Sequence, residues 1–159
     1  MKKLGLGIQK LSEFKEDNFI YVDKTEIIYK LIDDGKYYFL SRPRRFGKSL
    51  LVDTIKELFS ANKALFEECW VYDKWDWDKK YPVIKLSFAE MNYRQHGLEE
   101  ALELCLLQQA EVHNIQFKTP GYGARFLELI KTLGKQTPVA VLIDEYDKPI
   151  IDYLEKPEF

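Results

Sequence analysis

Apolar and polar positions along the chain fall into blocks whose spacing alternates between two kinds. Residues 15–22 begin polar and end in the apolar run FIYV. Asp23-Lys24-Thr25-Glu26 then has the spacing of a capping box with an Asp at the N-cap. It opens a helix through Ile27, Ile28, Leu31 and Ile32 that stops at Gly35. Tyr37-Tyr38-Phe39-Leu40 is short and apolar throughout, which predicts a buried strand. From Lys48 to Phe59, the placing of Leu50, Leu51, Ile55, Leu58 and Phe59 predicts a helix. Residues 61–81 set Trp70, Tyr72, Trp75 and Trp77 among many charges, predicting a short helix followed by irregular packing. Beyond them come a strand over Val83–Phe88, a helix over Leu98–Val112 and a shorter helix over Arg125–Leu133 that ends at Gly134. The last strand, Val139–Ile143, is apolar without a break. Near-continuous apolar strands alternating with helices predict an α/β fold with a parallel sheet covered on both faces.

Composition narrows the classes of function. At 159 residues the chain is one domain-sized unit, and 46% apolar against 31% charged residues exclude a disordered segment. A net charge of −2 excludes a general electrostatic trap for nucleic acid or anionic membrane. Cys69 and Cys105 are too few for a disulfide framework and belong to no CxxC or metal-ligand spacing, so each reads as a small buried hydrophobe. The N-terminus MKKLGLGIQK is too short in apolar length for a signal peptide, and no run approaches a membrane span. The expected compartment is the cytoplasm.

Chemistry is concentrated in two places. Ser41-Arg42-Pro43-Arg44-Arg45-Phe46-Gly47-Lys48-Ser49 lies between an apolar run and a helix, where a phosphate-binding loop belongs. Such a loop needs inward-facing backbone N–H groups, a helix N-terminus behind them, an ammonium and a hydroxyl. Gly47 lets the backbone approach closely, Lys48 reaches the β- and γ-phosphates, Ser49 can ligate Mg²⁺, and Leu50 continues the first helical turn. At the front the usual first glycine is replaced by Arg42, and Pro43 removes one N–H donor. Arg44 and Arg45 can offset that loss as cations or simply be solvated.

The second place is Val139-Ala140-Val141-Leu142-Ile143-Asp144-Glu145. Acidic side chains at the C-terminal end of a buried parallel strand stand at the ligand edge of the sheet. Asp144 would hold magnesium and Glu145 would polarise the attacking water. Taken alone, GKS is a common tripeptide and an acidic strand end a common turn. It is their conjunction, in this order, that points to nucleotide chemistry. Tyr21-Val22-Asp23-Lys24-Thr25 could line the nucleotide, although capping already accounts for Asp23. His96 and His113 have no partner spacing and read as surface or interface residues. Trp75 and Trp77 read as core-packing aromatics rather than base-stacking ones.

Five segments, GIQKLSEF, YVDKTEIIYKLI, YYFLSRPRRFGKSLL, YPVIKLSF and VLIDEYDKPI, together resemble the bacterial AAA-ATPase-like proteins over about residues 5–151. RPRRFGKS matches that family's form of the Walker A motif, Arg42 included, and LIDEYDKPI its Walker B motif. The resemblance implies a P-loop NTPase-type three-layer sandwich of the additional-strand kind, present as one incomplete domain over 1–159. It also implies ATP and Mg²⁺ as ligands, and in most members a C-terminal nuclease-like domain of the PD-(D/E)xK type. Lys48 and Glu145 would be catalytic, residues 42–50 would bind nucleotide, and Ser49 and Asp144 would bind the metal. Nucleic acid enters as a partner only through this resemblance.

In the additional-strand arrangement, a strand that follows Walker B inserts between the Walker A and Walker B strands. Residues 145–159 read instead as a turn and a short helix. The expectation is therefore a gap in the sheet: the chain is a fragment of a longer protein, or 37–40 pairs directly with 139–143, or another copy fills the gap. The leading reading is an ATPase module, with Glu145 in its favour. The rival is a nucleotide-binding module without turnover, favoured by the missing sensor and arginine finger. A P-loop kinase would need lid arginines and an acceptor site that nothing after Ile151 provides.

Overall fold

Leu11 and Phe14 lie three residues apart and bury together, and that suffices for a six-residue helix, α1 (Leu11–Glu16), with too few turns to show a period in the sequence. The computed structural model describes residues 3–5, 7–43 and 45–155, and the chain divides into two compact units, Met1–Tyr81 and Pro82–Phe159.

In the first unit α1 is followed by α2 (Thr25–Asp34), α3 (Lys48–Phe59) and two 3-10 turns, Lys63–Phe66 and Trp70–Asp73. Their apolar faces meet in a core of Leu11, Ile28, Leu58, Phe66, Cys69 and Val71, against which Trp75 and Trp77 pack as expected. Burial pushes the Cys69 thiol up to about 11, which leaves it protonated and inert near neutrality.

Buried polar groups set how these elements dock. The Asp53 carboxylate on α3 accepts the Leu11 N–H at 2.8 Å, satisfying a donor at the start of α1. Asp23 does not form the expected capping box. Its two oxygens accept the N–H groups of Thr25 (2.8 Å) and Trp70 (2.7 Å), so α2 begins at Thr25, while Glu26 pairs with Lys30 on the surface. The carboxylate is shared between a local donor and a tertiary one. Thr25, fully buried, accepts the Val71 N–H at 3.2 Å and completes the tie between α2 and the second 3-10 turn. Asp53→Ala would leave the buried Leu11 N–H unsatisfied and is expected to lower stability by about 1–3 kcal/mol, read as a reduced urea midpoint.

One expected strand is absent. Tyr37-Tyr38-Phe39-Leu40 carries no ladder and is largely solvent-exposed, Tyr37 at 94%. An apolar run becomes a strand only when a neighbour takes its N–H and C=O groups. Residues 37–40 belong to no strand, so the expected direct pairing with 139–143 does not form.

The second unit runs β1 (Val83–Ser87), α4 (Tyr93–His96), α5 (Leu98–Val112), α6 (Tyr122–Leu133), β2 (Ala140–Asp144) and α7 (Lys148–Glu155). β1 and β2 are parallel and in register from Val83↔Ala140 to Ser87↔Asp144, and they are the sheet's two strands among the described residues. Ile84 and Leu86 pack against Leu106 of α5 and Leu129 of α6, whereas Val141 and Ile143 stay exposed. The unbroken apolar run of β2 is therefore less covered than its composition suggests.

The edge of β1 away from β2 is closed by side chains of α5. Gln109 Oε1 accepts the Lys85 N–H at 3.4 Å, and His113 Nε2 donates to the Val83 carbonyl at 3.3 Å. His113 thus has a structural partner that its isolated place in the sequence does not reveal; His96 lies at the surface as expected, 3.8 Å from Glu100. α7 is pinned to α4 by Asp152, which takes the Tyr93 hydroxyl and the Arg94 guanidinium, the latter at 2.7 and 3.1 Å. Arg94, and then Tyr93, hold the Asp152 carboxyl below its usual range. The contact is complete above the ordinary carboxylate range and is lost only as pH falls through that lowered value. Among the described residues, no helix is long and apolar enough to cross a membrane.

Candidate nucleotide site

The loop ahead of α3 is coiled by two residues with left-handed backbone, Arg45 (φ 66°) and Gly47 (φ 74°). Left-handed residues among right-handed ones turn successive N–H groups to one side, the local geometry of an anion-holding concavity. Gly47 tolerates this conformation at no steric cost, and a Cβ there would meet nothing within 4 Å, so the space beside the loop is open. Arg45 adopts it without that freedom, at a cost of about 1 kcal/mol.

Gly47 is also the N-cap of α3, with its carbonyl accepting the Leu51 N–H at 3.0 Å and no side chain capping the helix. Among the described residues, the N–H groups of Lys48, Ser49 and Leu50 donate to nothing. Three orphan donors and the positive end of the helix therefore open at the loop. Arg42, Pro43, Arg45 and Phe46 are exposed, and Lys48, Ser49 and Leu50 are half-buried. Lys48 and Ser49 engage no side-chain hydrogen bond or ion pair among the described residues. Arg44 lies outside the described residues.

The second candidate stretch lies in the other unit, at the end of β2. Asp144 is the last strand residue and only 7% exposed, and its carbonyl accepts the Phe88 N–H at 3.1 Å, extending the ladder by one bond. Its carboxylate takes one hydrogen bond, from the Glu145 N–H to Oδ1 at 3.0 Å, and no cation pairs with it among the described residues. Its second oxygen has no protein donor, and among the described residues no group of three or more His, Cys, Asp or Glu side chains is placed to hold a metal ion. Glu145 follows with left-handed backbone (φ 50°) and accepts the Lys148 N–H at 3.0 Å. That turn leads from β2 into α7.

Sequence reasoning passed over Ser87, which the register sets beside Asp144 and which is equally buried at 7%. The signal for it was a hydroxyl residue closing an apolar strand in VIKLS. Tyr21, a weaker sequence candidate, is committed to the core: burial pushes its phenol up to about 12, against a hydrogen bond with Thr54.

The first unit thus holds a glycine-led helix N-terminus and the second an acidic strand end. The chain belongs to the AAA-ATPase-like family, described as predicted AAA-ATPase, which it matches over residues 5–159. A relative from Azotobacter chroococcum mcd 1, named as an uncharacterized protein in the vnfD 5′ region, is 44% identical over 162 residues. The alignment covers 99% of this chain and 31% of that relative. The chain thus spans about a third of the length of the curated relative it matches. No solved structure matches the chain.

Proposed function

We propose that the chain is the nucleotide-binding part of a P-loop ATPase, its residues 1–159 belonging to one incomplete domain of the additional-strand sandwich type. Its ligand is ATP with magnesium. The observation that carries this reading is the uncapped N-terminus of α3, where the N–H groups of Lys48, Ser49 and Leu50 stand without partners behind left-handed Gly47. Residues 42–50 surround the phosphates, and the Lys48 ammonium binds β- and γ-phosphate oxygens as a point charge. The Ser49 hydroxyl and the Asp144 carboxylate would be oxygen ligands for magnesium, which when bound would neutralise charge developing on the phosphates. Glu145 accepts a hydrogen bond from the attacking water and orients it.

Asp144→Asn keeps the shape of the side chain and removes its charge. It is expected to raise the magnesium concentration needed for half-maximal ATP binding about tenfold or more, while binding of ATP in EDTA changes little. A magnesium titration of ATP affinity by calorimetry is the test. If wild type and Asp144→Asn respond alike, Asp144 is a strand-end residue and the metal reading falls.

A further inference from the structure

Ser87 and Asp144 are cross-strand partners at the last rung of the parallel ladder. In-register partners on neighbouring strands present their side chains to the same face, and strands lie about 4.8 Å apart. Both residues are more than nine-tenths buried. The Ser87 hydroxyl has no hydrogen-bond partner among the described residues, and Asp144 spends only Oδ1 on a protein donor. Two oxygen functions thus stand at one rung with unused capacity, and neither is sealed from solvent, since among the described residues Trp75 Nε1 alone is a fully buried side-chain polar atom without a partner. The Ser87 backbone is held on both sides: its carbonyl accepts the Glu90 N–H at 3.1 Å, and the next N–H, that of Phe88, donates to the Asp144 carbonyl. Its hydroxyl is therefore positioned by the fold and left unused by it.

We propose that Ser87 is a positioning residue for the metal site, its hydroxyl hydrogen-bonding the water shell of the magnesium ion held at Asp144. Magnesium dehydrates reluctantly and keeps several waters, so a site with one carboxylate needs neutral oxygen partners for those waters more than it needs further charge. Serine suits this role because its hydroxyl both donates and accepts, and can turn to either a water hydrogen or a water oxygen. The neighbouring positions on this face, Lys85 and Leu142, cannot do so: Lys85 is engaged with Glu90 at 3.4 Å, and Leu142 is apolar.

The inference rests on the nucleotide-site reading above, and the same titration separates the two. ATP affinity of the full chain is measured against magnesium concentration for wild type, Ser87→Ala, Ser87→Thr and Asp144→Asn, with ATP affinity in EDTA and the urea midpoint recorded for each. Ser87→Ala is expected to raise the magnesium requirement about 3- to 10-fold, the worth of one neutral hydrogen bond, with metal-free affinity unchanged. Ser87→Thr, which keeps the hydroxyl, is expected to restore it. If Ser87→Ala titrates like wild type while Asp144→Asn shifts, Ser87 has no part in the site. A shift in Ser87→Ala that comes with a lower urea midpoint and no rescue by threonine makes Ser87 a packing residue, and overturns the proposal equally. If Asp144→Asn is also unshifted, or wild type binds no ATP at any magnesium concentration, it is the nucleotide site itself that fails.

Discussion

Glu145→Gln is expected to slow ATP hydrolysis by about two to four orders of magnitude, the range for loss of a positioned base, with Mg-ATP affinity within about twofold of wild type. The substitution exchanges one carboxylate oxygen for an amide nitrogen at constant shape. Backbone contacts of the residue, its N–H to Asp144 and its carbonyl to the Lys148 N–H, are untouched. Glutamine suits the left-handed backbone at φ 50° no better and no worse than glutamate, so the fold has no reason to respond. Single-turnover hydrolysis set beside calorimetric binding reads the two effects separately. If wild type binds Mg-ATP yet shows no turnover, the chain is a nucleotide-binding module, the rival reading. If both proteins hydrolyse alike, Glu145 only shapes the turn from β2 into α7.

The helices were the legible part of the fold, because their signal is local. The apolar spacing over 48–59 and 98–112 predicts helices that form over Lys48–Phe59 and Leu98–Val112. The unbroken run at 139–143 predicts a strand that forms one residue later, at Ala140–Asp144. What failed was whatever depends on a partner distant in sequence. Tyr37–Leu40 has the composition of a buried strand but belongs to no strand. Asp23 has the spacing of a cap, yet it shares its carboxylate with Trp70, 47 residues away. His113 looks isolated until α5 brings it to the Val83 carbonyl.

The candidate site follows the same division. Gly47-Lys48-Ser49 and Asp144-Glu145 are contiguous stretches whose chemistry can be read from residue type and from the element each one borders. Ser87 becomes visible only through strand register, a long-range property. The N-terminal segment GIQKLSEF acquires its meaning in the same way, through the Asp53 carboxylate that seats α1 on the helix behind the loop.

Lys48→Ala is expected to weaken Mg-ATP binding by about 1.5–3 kcal/mol, or about 10- to 150-fold in Kd, the worth of a hydrogen bond to a charged group. Lys48 is the first residue of α3 and half-buried, and among the described residues its ammonium has no carboxylate to neutralise. Its removal therefore breaks no internal ion pair. Alanine is the better helix former, so the urea midpoint should hold or rise slightly. Lost affinity together with preserved stability assigns the ammonium to the ligand. Lys48→Arg keeps the charge but replaces a compact ammonium with a broad planar fork, and is not expected to restore binding in full. Ionic strength supplies an independent check: ATP affinity should fall less steeply with salt in Lys48→Ala than in wild type, because one cation facing the phosphates is gone. Equal ATP affinity for wild type and Lys48→Ala at low salt would show that the phosphates do not sit at the α3 N-terminus, and the P-loop reading would go with it.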